Sequence, residues 1–344
     1  MTDPQPRILL VKLSSMGDVL HTLPTLEALR ARFPRGHITW LVEGAYAPLL
    51  AGHPALDEVW EAPRLRPRQW LKGPQRAALR RLVRNLRASS FDLVIDLQGL
   101  LKSAVWVALA RSPRKVGYNG TREGSYLVLT ERVPRFDPDS HAVWRYLHLA
   151  HHLGAPQGPP LFRLGLTPQA PEALPAGPLA VLHPGARWPT KLWPAPAWAE
   201  LARWLGRSQG FQVALTGAPE DRELASAILA HLGDAGVAVL NLVGRTSLAE
   251  LAGVLDQAKL AVTTDTGAMH LAAALGTPVA ALFGPTAPWR TGPFEEGHEI
   301  VRLGVDCSPC FQRRCPEPRC LTDLPVAAVK NACEKILSRA GLKG

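Results

Sequence analysis

Four short stretches of this 344-residue chain set a carboxylate or a cation among glycine, proline, serine or threonine, as ligand-binding loops do. The first is Ser14-Ser15-Met16-Gly17-Asp18. Its glycine lets a backbone come close to a ligand. Its carboxylate falls where Leu20, Leu23, Leu26 and Leu29 begin to recur at helical spacing. An Asp at a helix start either satisfies free amides, worth about 1 kcal/mol, or takes a proton from an acceptor hydroxyl as a general base. The spacing does not choose between these.

The second stretch, Val262-Thr263-Thr264-Asp265-Thr266-Gly267-Ala268-Met269-His270, follows an apolar run and opens a helix. The amides of Thr266, Gly267 and Ala268 at the positive end of that helix would form a pyrophosphate site. Asp265 is out of place beside phosphate alone and suits hydrogen bonds from sugar hydroxyls, with simple capping by Asp265 or Thr266 as the alternative. The third stretch, His183 to Pro194, holds Arg187 and Lys191 between prolines. A cation fixed in this way would neutralise a departing nucleoside diphosphate, unless it is only an exposed loop lysine. The fourth, Thr216-Gly217-Ala218-Pro219-Glu220, ends a strand. Glu220 or Asp221 there would bridge ribose hydroxyls, or merely favour a helix N-terminus.

Such loops need a scaffold, and the hydrophobic periodicity supplies one. Arg7 to Leu13, His37 to Val42 and Asp92 to Leu97 read as strands; the stretch from Leu20, Leu79 to Leu86 and Lys102 to Ala110 read as helices. After a cluster of prolines between Ala155 and Pro178 the alternation restarts. Strands are expected at 179–182, 211–216, 239–240, 260–263 and 279–283. Helices are expected at 198–205, 221–232 and 248–257 and from Gly267. This order predicts an α/β chain with two Rossmann-like, doubly wound parallel-sheet domains, their loops lining one cleft. The predicted boundaries are 1–160 for the first domain, 161–178 for a Pro-rich linker and 179–325 for the second domain. A terminal helix within 326–344 is expected to cross back onto the first.

Composition agrees with two ordinary cores, at 47% hydrophobic and 20% charged residues. Apolar runs fall far short of the roughly 18 to 20 residues that span a bilayer, and the polar start lacks the order of a secretory signal. A cytoplasmic location is expected. The net charge is +10, with 23 Lys+Arg against 13 Asp+Glu in residues 1–165 and 16 against 16 in the rest. The excess peaks in Arg64, Arg66, Arg68, Lys72, Arg76, Arg80, Arg81, Arg84 and Arg87, with Trp70 among them and no acid. This is either a solvated face or a surface for lipid headgroups. Nucleic acid is not expected, because no helix-turn-helix, zinc-finger or RNP-type signature accompanies the charge.

Cys307, Cys310, Cys315 and Cys320 are spaced C-x2-C-x4-C-x4-C, with Cys333 beyond. Such thiols either hold structural zinc or stay reduced, and a cytoplasmic location argues against disulfides. A nicotinamide-dependent oxidoreductase would share the fold class. It needs G-x-G-x-x-G after a first strand, and neither first-strand loop has it.

Taken together, Ser14 to Pro24, Asp96-Leu97-Gln98-Gly99-Leu100-Leu101-Lys102-Ser103, and Thr264-Asp265-Thr266-Gly267 with His270 resemble glycosyltransferase family 9 over nearly the whole chain. The resemblance implies a GT-B fold and an inverting, metal-independent transfer of heptose from ADP-heptose to the Kdo sugar of Kdo-lipid A. It implies no required cofactor and a peripheral place on the inner leaflet of the inner membrane. Asp18 would be the base and Lys191 the group that holds the diphosphate. Glu220 would hold the ribose, Asp265 the heptose hydroxyls, and Thr266 and Gly267 the phosphates, with His270 behind them. Met16, Gly17 and Arg187 join this donor set. Arg122 and the basic segment with Arg64, Arg66, Arg68 and Lys72 would bind the acceptor. The third loop reads Pro184-Gly185-Ala186-Arg187, closer to family members that add the second heptose than to the Thr-rich form common in those that add the first. Whether the first or the second inner-core heptose is added stays open.

Overall fold

Short apolar runs alternating with amphipathic helices give two units, Met1–Leu166 and Thr167–Gly344. A computed structural model of the chain describes residues 5–64, 73–233 and 236–341. In the first unit, strands β1 (Arg7–Val11), β2 (His37–Glu43), β3 (Glu58–Ala62), β4 (Leu93–Asp96), β5 (Lys115–Tyr118) and β6 (Glu131–Val133) form a parallel sheet. Their order is β3-β2-β1-β4-β5-β6. Helices α1 (Met16–Arg32), α2 (Gly73–Ala88), α3 (Leu101–Leu109) and α4 (Ala142–His152) accompany it.

In the second unit, β7 (Leu179–His183), β8 (Gln212–Leu215), β9 (Val239–Asn241), β10 (Ala258–Thr264), β11 (Val279–Leu282) and β12 (Glu299–Val301) form a second parallel sheet. Their order is β12-β11-β10-β7-β8-β9. Its helices are α5 (Ala195–Ser208), α6 (Arg222–Leu232), α7 (Leu248–Gln257), α8 (Gly267–Ala274), α9 (Pro288–Thr291), α10 (Arg319–Thr322) and α11 (Val326–Arg339). Central strands such as Ile8–Val11, β4 and β7 are buried along their length. A parallel sheet covered on both faces requires such unbroken apolar runs.

Counted within its own unit, each sheet has the strand order 3-2-1-4-5-6. The order reverses between β1 and β4 in one unit and between β7 and β10 in the other. Ligands of doubly wound sheets bind at that reversal, beyond the carboxyl ends of the strands.

The strands absent from the sequence reading are β3, β5, β6 and β12. Three of them are sheet edges, where a strand is short and carries charges such as Glu58, Glu61, Glu131 and Glu299. The stretch read as a linker is tied down on both sides of the unit boundary. Gly165 N donates to Leu49 O at 2.8 Å, and Gln169 N donates to Ala249 O at 3.0 Å.

The terminal helix α11 is built into the core of the second unit. Val329, Ala332, Cys333, Ile336 and Leu337 form a buried stripe at 3–4-residue spacing, in one core with Trp193, Trp198 and Leu321. Trp193 Nε1 donates to Leu324 O just ahead of it at 3.0 Å. No helix among the described residues is long and apolar enough to cross a membrane.

Candidate active site

At the first reversal the chain leaves β1 through Lys12, Leu13, Ser14 and Ser15 and enters α1. The neighbouring strand holds this loop. Gln98 Oε1 accepts the amides of Leu13 and Ser14, both at 3.1 Å. Asp96, at the end of β4, accepts the Gln98 and Gly99 amides at 3.0 and 3.1 Å and Ser103 Oγ at 3.1 Å. Its burial pushes the carboxyl up, against these donors and Lys12. Gly99 turns at φ +64°, and a Cβ there would lie 2.9 Å from Thr121 Cγ2. Lys102 of α3 bonds Ser14 Oγ and, at 3.0 Å, Glu43 Oε1.

Ser15 is the N-cap of α1, and Asp18 returns Oδ2 to the Ser15 amide and hydroxyl, each at 3.0 Å. Its Oδ1 accepts Tyr146 Oη from α4 at 2.8 Å and lies 3.7 Å from Lys12 Nζ. The Asp18 side chain is still 38% exposed. A carboxylate has about four acceptor positions, so Asp18 caps the helix and keeps a lone pair for a ligand. Desolvation would raise its pKa, but the Lys12 charge, the Ser15 amide, the Tyr146 phenol and His21 together hold it well below the usual carboxylate range. Asp18 is therefore ionised throughout the neutral range.

At the second reversal the chain leaves β7 at His183, and Thr264 Oγ1 of β10 donates to Gly185 O at 2.8 Å. Lys191 ends the short 3-10 turn Pro189–Lys191. Its Nζ donates to Asp265 Oδ2 at 2.6 Å and to Asp265 O at 3.2 Å, and stands 4.6 Å from the Trp188 ring centroid. Thr286, past β11, donates to the same Oδ2 at 2.6 Å. Thr266 is the extended N-cap of α8, and its side chain makes no cap hydrogen bond. The first amides of α8 are open to an anion. Nearby, Asp221 Oδ2 takes the Ala218 amide at 2.8 Å. A Cβ on Gly185 would run into this carboxylate. Burial and the like charge of Glu220 push Asp221 up against that bond. Asp221 is thus the structural acid of this turn, and Glu220 is the exposed one.

One reversal offers an ionised carboxylate suited to accept a proton. The other offers a cation and a helix terminus suited to a diphosphate. The model of glycosyltransferase family 9 (heptosyltransferase) matches residues 79–321. The chain is 38% identical over 321 residues to lipopolysaccharide heptosyltransferase 1 of Pseudomonas aeruginosa, covering 90% of this chain and 87% of that one. It belongs to glycosyltransferase family 9. It is also 32% identical over 315 residues to lipopolysaccharide heptosyltransferase 2 of Salmonella typhimurium, covering 86% of this chain and 88% of that one. Among solved structures, the Escherichia coli heptosyltransferase WaaC with ADP-2-deoxy-2-fluoro heptose superposes with a TM-score of 0.76 at 33% identity, covering 96% and 99% of the two chains. The two doubly wound units are those of the GT-B fold, and the protein is an enzyme of this family.

In this family 9 chain the sequence-predicted residues fall into two groups. Met16 and Gly17 open α1 beside Asp18, while Asp265, which bonds Lys191, leads into Thr266, Gly267 and His270 at the start of α8. Arg187 is exposed on the loop after β7, and Arg122 is exposed next to Thr121, the residue packed on Gly99. Arg64 is described and exposed. Arg66, Arg68, Trp70 and Lys72 lie outside the described residues. On α2, Arg76, Arg80, Arg84 and Arg87 are exposed and Leu82 and Leu86 buried, so the basic run continues as one face of a helix.

Four working residues escaped sequence reasoning: Lys12, Gln98, Tyr146 and Thr286. Lys12 had a signal, as the one charge in the run Ile8–Leu13. Gln98 lay inside a quoted motif without a role, and Tyr146 is 128 residues from Asp18 with nothing local to single it out. Cys307, Cys310, Cys315 and Cys320 line one small cavity, of about 20 Å³, and are free thiols. Among the described residues no group of three or more His, Cys, Asp or Glu side chains is gathered to hold a metal.

Proposed function

We propose that the protein moves heptose from ADP-L-glycero-D-manno-heptose to the Kdo of Kdo-lipid A, with inversion at the anomeric carbon. The observation that carries this reading is the complementary chemistry of the two strand reversals. Asp18, ionised and partly open, takes the proton of the acceptor hydroxyl as its oxygen bonds the anomeric carbon. The bond from that carbon to the diphosphate breaks, and its electron pair leaves with ADP. Lys191 and the first amides of α8 stabilise that charge without a metal. Asp265 orders Lys191 through Oδ2 and offers its remaining acceptor positions to heptose hydroxyls; exposed Glu220 takes the ribose. Met16, Gly17, Arg187, Thr266, Gly267 and His270 complete the donor site.

Arg122 and the segment from Arg64 to Lys72 bind the acidic acceptor. The arginine face of α2 suits anionic lipid headgroups and supports a peripheral place on the inner leaflet of the inner membrane, with the enzyme on the cytoplasmic side. The test is ADP release from ADP-heptose with Kdo-lipid A as acceptor. Release only with an acceptor that already carries one heptose would move the enzyme to the second inner-core step. Release with neither acceptor would remove the reading.

A further inference from the structure

Lys12 is a charged side chain only 2% exposed, directly after a strand with no polar residue from Ile8 to Val11. Burying a cation is costly, and an apolar side chain of similar volume is often the more stable choice. Its contacts point to another use. Nζ donates to Leu97 O at 3.0 Å and to Tyr146 Oη at 2.7 Å, and stands 4.1 Å from the Tyr146 ring centroid. The Tyr146 hydroxyl passes its own hydrogen to Asp18 Oδ1 at 2.8 Å, and Nζ lies 3.7 Å from that oxygen. Lys12 thereby ties helix α1, the loop after β4 and helix α4 together. The backbone is fixed from the same point, since Trp40 Nε1 donates to Lys12 O at 3.0 Å.

We infer that Lys12 and Tyr146 are positioning residues for the transfer, a buried ammonium–phenol pair that aims Asp18 and keeps it ionised between turnovers. The inference rests on Asp18 as the proton acceptor. The pair makes Asp18 a weaker base but a constantly available one, with one oxygen held by Tyr146 and the other by Ser15, so its open lone pair keeps one direction. The electrostatics agree. Burial lowers the Lys12 pKa, against Asp18 and Asp96, while Arg145 and Lys102 lower it further. Burial and Asp18 raise the Tyr146 phenol well above its ordinary value, with Arg145 opposing and Tyr118 adding to the rise. The groups acting on Asp18 are Lys12, the nearest full charge, Ser15, Tyr146 and His21; Asp96, Arg145 and Lys102 act on Lys12, and Arg145 and Tyr118 on Tyr146.

The test is the pH profile of kcat/KM for the full chain, with ADP-heptose and Kdo-lipid A, in wild type, Lys12→Met, Tyr146→Phe and Asp18→Asn. Removing the Lys12 charge frees Asp18 to bind a proton, so the acidic limb should move up by roughly one pH unit or more in Lys12→Met. It should move in the same direction and by less in Tyr146→Phe, which keeps the ring. If Asp18→Asn is inactive while both other variants, folded by circular dichroism, keep the wild-type limb, the inference is overturned and Asp18 survives as the base. If Asp18→Asn retains turnover, the base assignment itself fails. Should Lys12→Met not fold, Tyr146→Phe decides alone: an upward shift supports the pair, and an unmoved limb overturns it.

Discussion

The two strand reversals use the same pair of residue types in opposite senses. In the first unit, Lys12 is 2% exposed and its partner Asp18 38%; in the second, Lys191 is 15% exposed and Asp265 7%. The first buries its cation and leaves the carboxylate open, whereas the second covers both partners, with the cation the more exposed of the two. The difference begins at the end of the first strand of each sheet. Val11, the partner of Asp96, is followed by the buried charge of Lys12; His183, the partner of Thr263, is a buried imidazole bonded to Thr216 Oγ1 at 3.0 Å. With a charge in the floor, the loop above can offer an anion. With a neutral floor, the charge arrives on the loop itself as Lys191. One fold used twice therefore supplies a proton acceptor and an anion holder, and the choice lies in a few residues at equivalent places.

The comparison breaks first at Asp18. Asp18→Ala should cut kcat by about 10³-fold or more, within the range for loss of a general base, while calorimetric binding of an ADP-heptose analogue stays near normal. Near-normal turnover would show that the first unit does not supply the proton acceptor. Lys191→Met should lower kcat by roughly 10²- to 10³-fold, the cost of losing one preorganised charge at a developing anion, and should weaken ADP binding. A Lys191→Met enzyme with unchanged ADP affinity and a defect only in KM for the acceptor would reverse the division of labour between the units.

The neutral floor sharpens the contrast through pH. Burial holds the His183 pKa at about 4, and His53 in the first unit is likewise lowered to about 4 by burial. Above the unfolded value, near 6.5, neither form binds a proton and the histidines add no pH dependence. Between 6.5 and 4 the unfolded chain takes protons that the folded chain refuses, so stability falls as pH drops, and the fall levels off below the folded value. Each histidine should contribute a slope of up to about 1.4 kcal/mol per pH unit. Denaturant unfolding of His183→Asn between pH 4 and 6.5 should show a flatter dependence than wild type. An identical slope would mean that His183 is protonated in the folded protein.

How far the sequence exposes this arrangement depends on whether a residue acts through its neighbours in the chain or through space. The central strands were legible because a strand buried on both faces must be an apolar run. Asp18, Lys191 and Asp265 were legible because they sit on loops between such a run and a helix. The choice between cap and base at Asp18 was not, since both uses place an Asp at the third position of a helix, and the structure shows the cap together with the open lone pair. Glu220 and Asp221 were likewise equivalent in one dimension and are separated only by the contact of Asp221 with Gly185 and the Ala218 amide. Tyr146 was invisible because the packing of α4 along α1 alone brings it to Asp18. The stripe on α11 was visible as amphipathic, but an apolar stripe does not say which surface it covers.

The smallest expected effect tests how firmly the second unit holds its hidden carboxylate. Asp265 Oδ2 takes two short bonds, from Lys191 and from Thr286, the second reaching across from the loop after β11. Thr286→Val keeps the branched shape and removes only the hydroxyl donor, leaving Lys191 as the donor to that oxygen. A hydrogen bond to a charged group contributes about 1.5 to 3 kcal/mol, and the retained Lys191 bond at 2.6 Å keeps the loss at the lower end. Steady-state ADP release should therefore show kcat/KM for the donor falling by about tenfold, with KM for the acceptor unchanged because Thr286 belongs to the other unit's site. A change in the acceptor KM of the same size would mean that the two reversals are coupled through Asp265 and cannot be treated as separate devices.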